Sequence, residues 1–222
     1  MEAYIEVTFC KSWFYGRYLI SLEIQTKYRT VNNNILNTRF LQGGKITDKV
    51  LSMGIDNWPH LIDYIRLLPY GRIKSRAKID GVLSEGKGSC STKHALLKVL
   101  ADENHIEGVD LILGIFKMNP QNTPEVASIL YQAGLDYIPE AHCYLKVKGQ
   151  RIDATKQGFD INHFSNDILT EMVINVEQIG DYKIDIHKNF LKTWIKEQSL
   201  PLTLEKVWEI REKCIAKMSE TT

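Results

Sequence analysis

Cys90 lies in the stretch GKGSCSTKHALL (residues 86–97): a lone cysteine between two serines, behind two glycines, at the head of a helical pattern. With Ser89 as the N-cap, Cys90 falls in the first turn, where unpaired amides and the helix dipole stabilise negative charge. Such a setting lowers a thiol pKa and favours the thiolate, the nucleophilic form. The same amides can stabilise an oxyanion formed when that thiolate attacks a carbonyl, and Gly86 and Gly88 leave room for a substrate backbone. The local context serves a buried structural cysteine near a helix end equally well.

A thiolate nucleophile needs a histidine to shuttle its proton and a third group to orient that histidine. The segment AHCYLKVKGQRIDAT (141–155) reads as a β-hairpin turning at Lys148-Gly149. In that register Val147 faces Gln150, Leu145 faces Ile152 and Tyr144 faces Asp153. His142, Tyr144, Lys146, Arg151 and Asp153 then share one face, while Cys143, Leu145, Val147, Ile152 and Ala154 share the apolar one. His142 and Asp153 become diagonal neighbours, with Cα atoms about 7–8 Å apart. A slip of one residue would separate them.

The elements that must carry these residues are legible to different degrees. Leu61, Ile62, Ile65 and Leu68 predict a helix stopped by Pro69 and Gly71, and Ala95, Leu96, Val99 and Leu100 form the apolar face of the helix headed by Cys90. VDLILGIFKM is a strand, and residues 119–140, with three prolines, are a connection with a short helical centre. MVINVEQI is a further strand candidate. KNFLKTWIKEQ is a helix, and Thr203 opens a final amphipathic helix over TLEKVWEIREKCIAKM. The fold class expected is α+β with a mainly antiparallel sheet, residues 46–222 forming the domain and 1–45 an appendage.

The ordered series GSCSTKHALLKVLA, EAHCYLKV, RIDATK resembles the transglutaminase-like superfamily of papain-like Cys-His-Asp cysteine proteases and acyltransferases, over residues 55–160. The resemblance implies a nucleophile helix packed on the sheet, with Cys90 as nucleophile, His142 as general base and acid, and Asp153 as its orienter. It implies an amide or acyl hydrolase, or an acyltransferase, working through a thioester on a peptide, protein or small amide; the alternative is an inactive peptide-binding module on the same fold. Two positions depart from the family pattern. Tyr144 stands where a tryptophan is frequent, and the side-chain oxyanion donor has only Gln42 and Trp58 as candidates.

Other residues point to simpler roles. Cys90 and His94 are four apart on one helix, a usable metal spacing, but adjacent His142 and Cys143 face opposite ways, so no metal site and no cofactor are expected. His94 is expected at the surface beside the site. His60, His105, His163, His187 and Glu140 are expected at the surface too, and Cys10, Cys143, Cys214, Trp194, Trp208 and the aromatics of 13–18 in packing. Lys146 and Arg151 read as the solvated face of the hairpin. The charge balance (28 Lys and Arg against 27 Asp and Glu) gives no reason to expect nucleic acid as a partner. No apolar run approaches the 18 or so residues of a membrane span, and no secretory signal is evident. Four scattered cysteines without a CxxC pair suit a reducing, cytoplasmic setting.

Overall fold

The computed structural model describes residues 39–220 apart from Asp160, and not the side chains of Asn162 and His163. Most of the expected appendage, Cys10, the aromatics of 13–18 and the His163 side chain therefore lie outside the described residues. Residues 39–45 already belong to the main unit: Phe40 is buried, its amide bonds Asp56, and the Leu41 amide bonds the Asn104 side chain.

Eleven helices and strands follow in the described residues. They are α1 (Lys45–Ser52), α2 (Trp58–Leu67), α3 (Gly81–Glu85), α4 (Cys90–Glu103), β1 (Val109–Met118), α5 (Ala127–Gln132), β2 (Ile138–Val147), β3 (Gln150–Ile152), β4 (Ile168–Val173), α6 (Asp181–Glu197) and α7 (Leu204–Glu220). The four strands form one sheet in the order β3-β2-β1-β4, every pair antiparallel. The class is α+β. No helix among the described residues is long and apolar enough to cross a membrane.

The hairpin takes the expected register, Val147 opposite Gln150 and Leu145 opposite Ile152. Its turn residues Lys148 and Gly149 both have positive φ, which matches the strand twist. The paired part of β3 ends at Ile152, so Asp153 sits just past the ladder. The fourth strand lies earlier than expected, at 168–173, and residues 176–179 of the expected strand form a 3-10 turn capped by Asn175.

β1 and β2 are buried almost end to end, with helices on their apolar side chains. One core cluster joins Phe116, Met118, Ile138 and Tyr144 of the sheet to Leu191 and Trp194 of α6 and Val207, Ile210 and Cys214 of α7. Gly114 of β1 pairs with His142 on one side and with Glu171 of β4 on the other. A Cβ there would lie 2.9 Å from the Tyr144 ring, so this glycine lets the Tyr144 side chain cross β1 and reach Glu171. Lys146 and Arg151 close on the same carboxylate at 2.8 Å. The outer end of the hairpin face is thus an ion-paired cluster rather than a free solvated surface.

Candidate active site

Ser89 caps α4 with a reciprocal box: its side chain accepts from the Thr92 amide while its own amide bonds Thr92 Oγ1. Cys90 is therefore the first helical residue, and it is 6 % exposed. The glycines before it have structural jobs. Gly86 adopts φ +63, and at Gly88 a Cβ would lie 2.8 Å from the Lys93 stem. Gly88 is also bridged to the chain after α2, its amide donating to the Pro69 carbonyl at 3.1 Å and its carbonyl accepting from Gly71 at 3.2 Å.

The structure brings Cys90, His142 and Asp153 together. His142 Nε2 and Asp153 Oδ2 are 2.5 Å apart, and the remaining imidazole nitrogen is left for the Cys90 thiol, whose charged form His142 favours. Burial pushes the Cys90 thiol up, but the Lys183 ammonium and the His142 imidazole outweigh it, and the Cys143 backbone amide also donates; the result is a pKa of about 5. Burial pushes the His142 imidazole down, while the carboxylate and thiolate that flank it hold it at about 10. Burial raises the Asp153 carboxyl, yet the two histidines and Thr155 take it far below the usual range. The resting state around neutral pH is a thiolate–imidazolium pair against a carboxylate.

The ring of His142 is walled by aromatics: Phe159 at 5.4 Å between centroids, Phe116 and Tyr144 at 6.0 Å, and Phe164 at 6.3 Å. They exclude water and present π faces and edges to a cationic ring. Tyr144 stacks on the imidazole at an interplanar angle of 29°.

Asp153 is itself fixed on all sides. The Thr155 amide donates to Oδ1 at 2.8 Å, and Arg66 Nε of α2 donates to its carbonyl at 2.8 Å. On the far side lies His94, which is fully buried rather than at the surface. The Ala154 amide can only donate, so His94 Nε2 accepts it at 2.7 Å and Nδ1 carries the proton, donating to the Cys90 carbonyl at 2.7 Å. Burial pushes this histidine down to about 4, the neutral ring its bonds demand. With both nitrogens committed, His94 ties α4 to the Asp153 loop and has none free for a metal. Lys93 next to it is equally buried and donates to the Leu68 and Thr155 carbonyls at 2.6 Å each, its pKa brought down to about 8 by burial.

Three participants escaped the sequence. Lys183 of α6 is 9 % exposed, 3.7 Å from Cys90 Sγ and 2.8 Å from Ser91 Oγ. Burial opposes its charge, but the Cys143 and Cys90 thiols and Glu140 hold its pKa above the usual lysine value. Glu140, expected at the surface, is buried and receives Arg211 of α7 in a two-pronged pair at 2.5 and 2.7 Å. His187, also expected outside, is buried and donates from Nε2 to the Pro139 carbonyl at 2.8 Å. The one available signal was the i, i+4 spacing of Lys183 and His187, just ahead of the expected helix KNFLKTWIKEQ, which the structure starts earlier, at Asp181.

Two recesses meet at Cys90. A cleft of about 710 Å³ runs between the Tyr70–Arg76 segment and helices α6 and α7. A small niche on the other side is bounded by Phe116, Met118, Phe159 and Met218. Tyr70 and Ile215 border both. Neither Gln42 nor Trp58 borders either: Gln42 is exposed, and Trp58 is fully buried edge-on to Phe40. The Tyr70 phenol makes no hydrogen bond among the described residues, and burial together with the nearby thiolate keeps it protonated far beyond neutral pH. Compared with known proteins, the chain matches no family model, no curated protein and no solved structure.

Proposed function

We propose that this protein is a thiol-dependent acyl hydrolase or acyltransferase with a transglutaminase-like core, acting on amide or ester carbonyls through a thioester on Cys90. One observation carries the reading: a thiol at a helix N-terminus is coupled electrostatically to His142, whose Nε2 is 2.5 Å from a buried Asp153. In the proposed reaction the thiolate attacks the carbonyl carbon. The oxyanion accepts hydrogen bonds from the first-turn amides and the Tyr70 phenol. His142 gives its proton to the departing amine or alcohol as the C–N or C–O bond breaks. Neutral His142 then takes a proton from water, which attacks the thioester and releases the thiolate; an amine in place of water makes the reaction a transfer. Asp153 keeps the imidazole in the required orientation.

The test is incubation with p-nitrophenyl acetate. The expected result is a burst of nitrophenol with an acetyl group on Cys90, removable by hydroxylamine and absent in His142→Ala. A Cys90 of ordinary thiol pKa that forms no adduct overturns the reading and leaves the peptide-binding module.

A further inference from the structure

The large cleft beside Cys90 carries charge that the chemistry of the thiol does not use. Overall the chain is nearly neutral, at +1. The cleft lining is not: five cationic side chains (Arg72, Arg76, Lys183, Lys188, Arg211) face two carboxylates (Glu140, Glu212). Both carboxylates are occupied. Glu140 holds Arg211, while Glu212 takes Arg72 at 2.9 Å and the other end of Arg211 at 2.6 Å. Lys183 is committed to the thiol and Ser91.

Arg76 and Lys188 remain. Both are half-buried, and neither forms an ion pair among the described residues. Lys188 lies over the Trp208 ring at 5.0 Å, and Glu205 feels its charge without pairing to it. The depression of the Cys90 pKa rests on Lys183 and His142, so these two cations are not needed to make the thiolate. Partly dehydrated cations without a counter-charge are costly unless a ligand supplies one. The same lining also carries an apolar wall, Ile179, Ile184 and Ile215.

We infer that the cleft selects carboxylate-bearing acyl substrates, with Arg76 and Lys188 receiving the carboxylate and the isoleucine wall the chain between it and the reacting carbonyl. This rests on the proposed thiol chemistry and names its substrate class. Guanidinium and ammonium groups suit such a ligand, the first as a two-pronged partner and the second as a point charge.

The experiment compares maleimides that end in a carboxylate, on alkyl tethers of increasing length, with neutral N-alkyl maleimides of matching length, reading the labelling rate of Cys90 by mass spectrometry. The expected result is an optimum tether at which the carboxylate reagent reacts about tenfold faster than its neutral twin, falling as salt is raised. In the Arg76→Gln/Lys188→Gln variant that ratio collapses towards one. Because the readout is a ratio, a general change in thiol reactivity or folding in the variant cancels. A ratio near one at every tether length overturns the inference, as does a preference that survives in the double variant. The neutral reagents separate the two levels: slow neutral labelling at pH 6.5, unaltered by His142→Ala, sinks the thiolate reading itself, whereas fast neutral labelling without carboxylate preference sinks only the substrate class.

Discussion

Asp153 has a histidine on each side, and the two are kept in opposite states. On one flank His142 touches the carboxylate at 2.5 Å and faces the thiolate, and its pKa stands at about 10. On the other His94 approaches the same carboxylate at 3.6 Å, accepts a backbone amide at Nε2, and titrates at about 4. Both rings are buried, so burial alone does not decide the charge. The deciding difference is what the second nitrogen meets. An anion there favours the imidazolium, whereas a donor N–H forbids it, because protonation would set two donors against each other. The two buried histidines beside this carboxylate therefore divide into a charged ring and a neutral, rigid strut.

The sharpest way to break that division is to remove each ring in turn. His142→Ala is expected to lower acyl transfer about 10²–10⁴-fold and to move the midpoint of iodoacetamide labelling at Cys90 upward from about 5, since a cation that favours the thiolate is gone. His94→Ala is expected to leave that midpoint nearly in place. It should cost about 3 kcal/mol of stability through an orphaned Ala154 amide and a cavity, roughly 10 °C in melting temperature. Equal shifts of the labelling midpoint in the two variants would abolish the distinction.

Lys183→Met keeps the volume and removes the charge beside the sulfur. Labelling at pH 6 is expected to slow about tenfold as the thiol pKa rises, with His142 still able to form a weaker pair. An unchanged profile would mean that the imidazole alone makes the thiolate.

A smaller effect sharpens the comparison in stability. The folded protein refuses a proton at His94 until about pH 4, while the unfolded chain accepts one near 6.5. The unfolded state thus binds more protons between those values, so wild-type stability falls as pH drops from 6.5 to 4. His187, whose pKa is also lowered, mainly by burial, adds to the same slope. Denaturant titrations of His94→Ala at pH 7 and pH 5 are expected to show a flatter decline than the wild type; a parallel decline would place the proton elsewhere.

The hairpin face was legible because a two-residue turn and strict alternation fix its register, and α4 was legible because Ser89 and the residues after it spell a capped helix. Periodicity speaks only of an element's own faces. It does not say that the first turns of α4 are enclosed on every side, so His94 read as a surface residue. Nor does it bring Lys183, 93 positions away in the chain, onto the sulfur, or seat Arg211 on Glu140. Long polar side chains that satisfy themselves inside a core look in sequence like those that face water.

The paired backbone bonds between Gly88 and the Pro69–Gly71 segment give the cleft a mechanical aspect. Arg72 follows directly on that segment and Arg76 four residues later, and Cys90 follows two residues after Gly88. A ligand drawn against Arg76 would load the same short bridge that carries Tyr70 and leads to Cys90. Its grip would then be felt at the reacting atoms, not only in the tightness of the complex. Substrates cut short of the carboxylate should lose kcat as well as raise KM, the mark of remote binding energy used to align a reaction rather than merely to hold it.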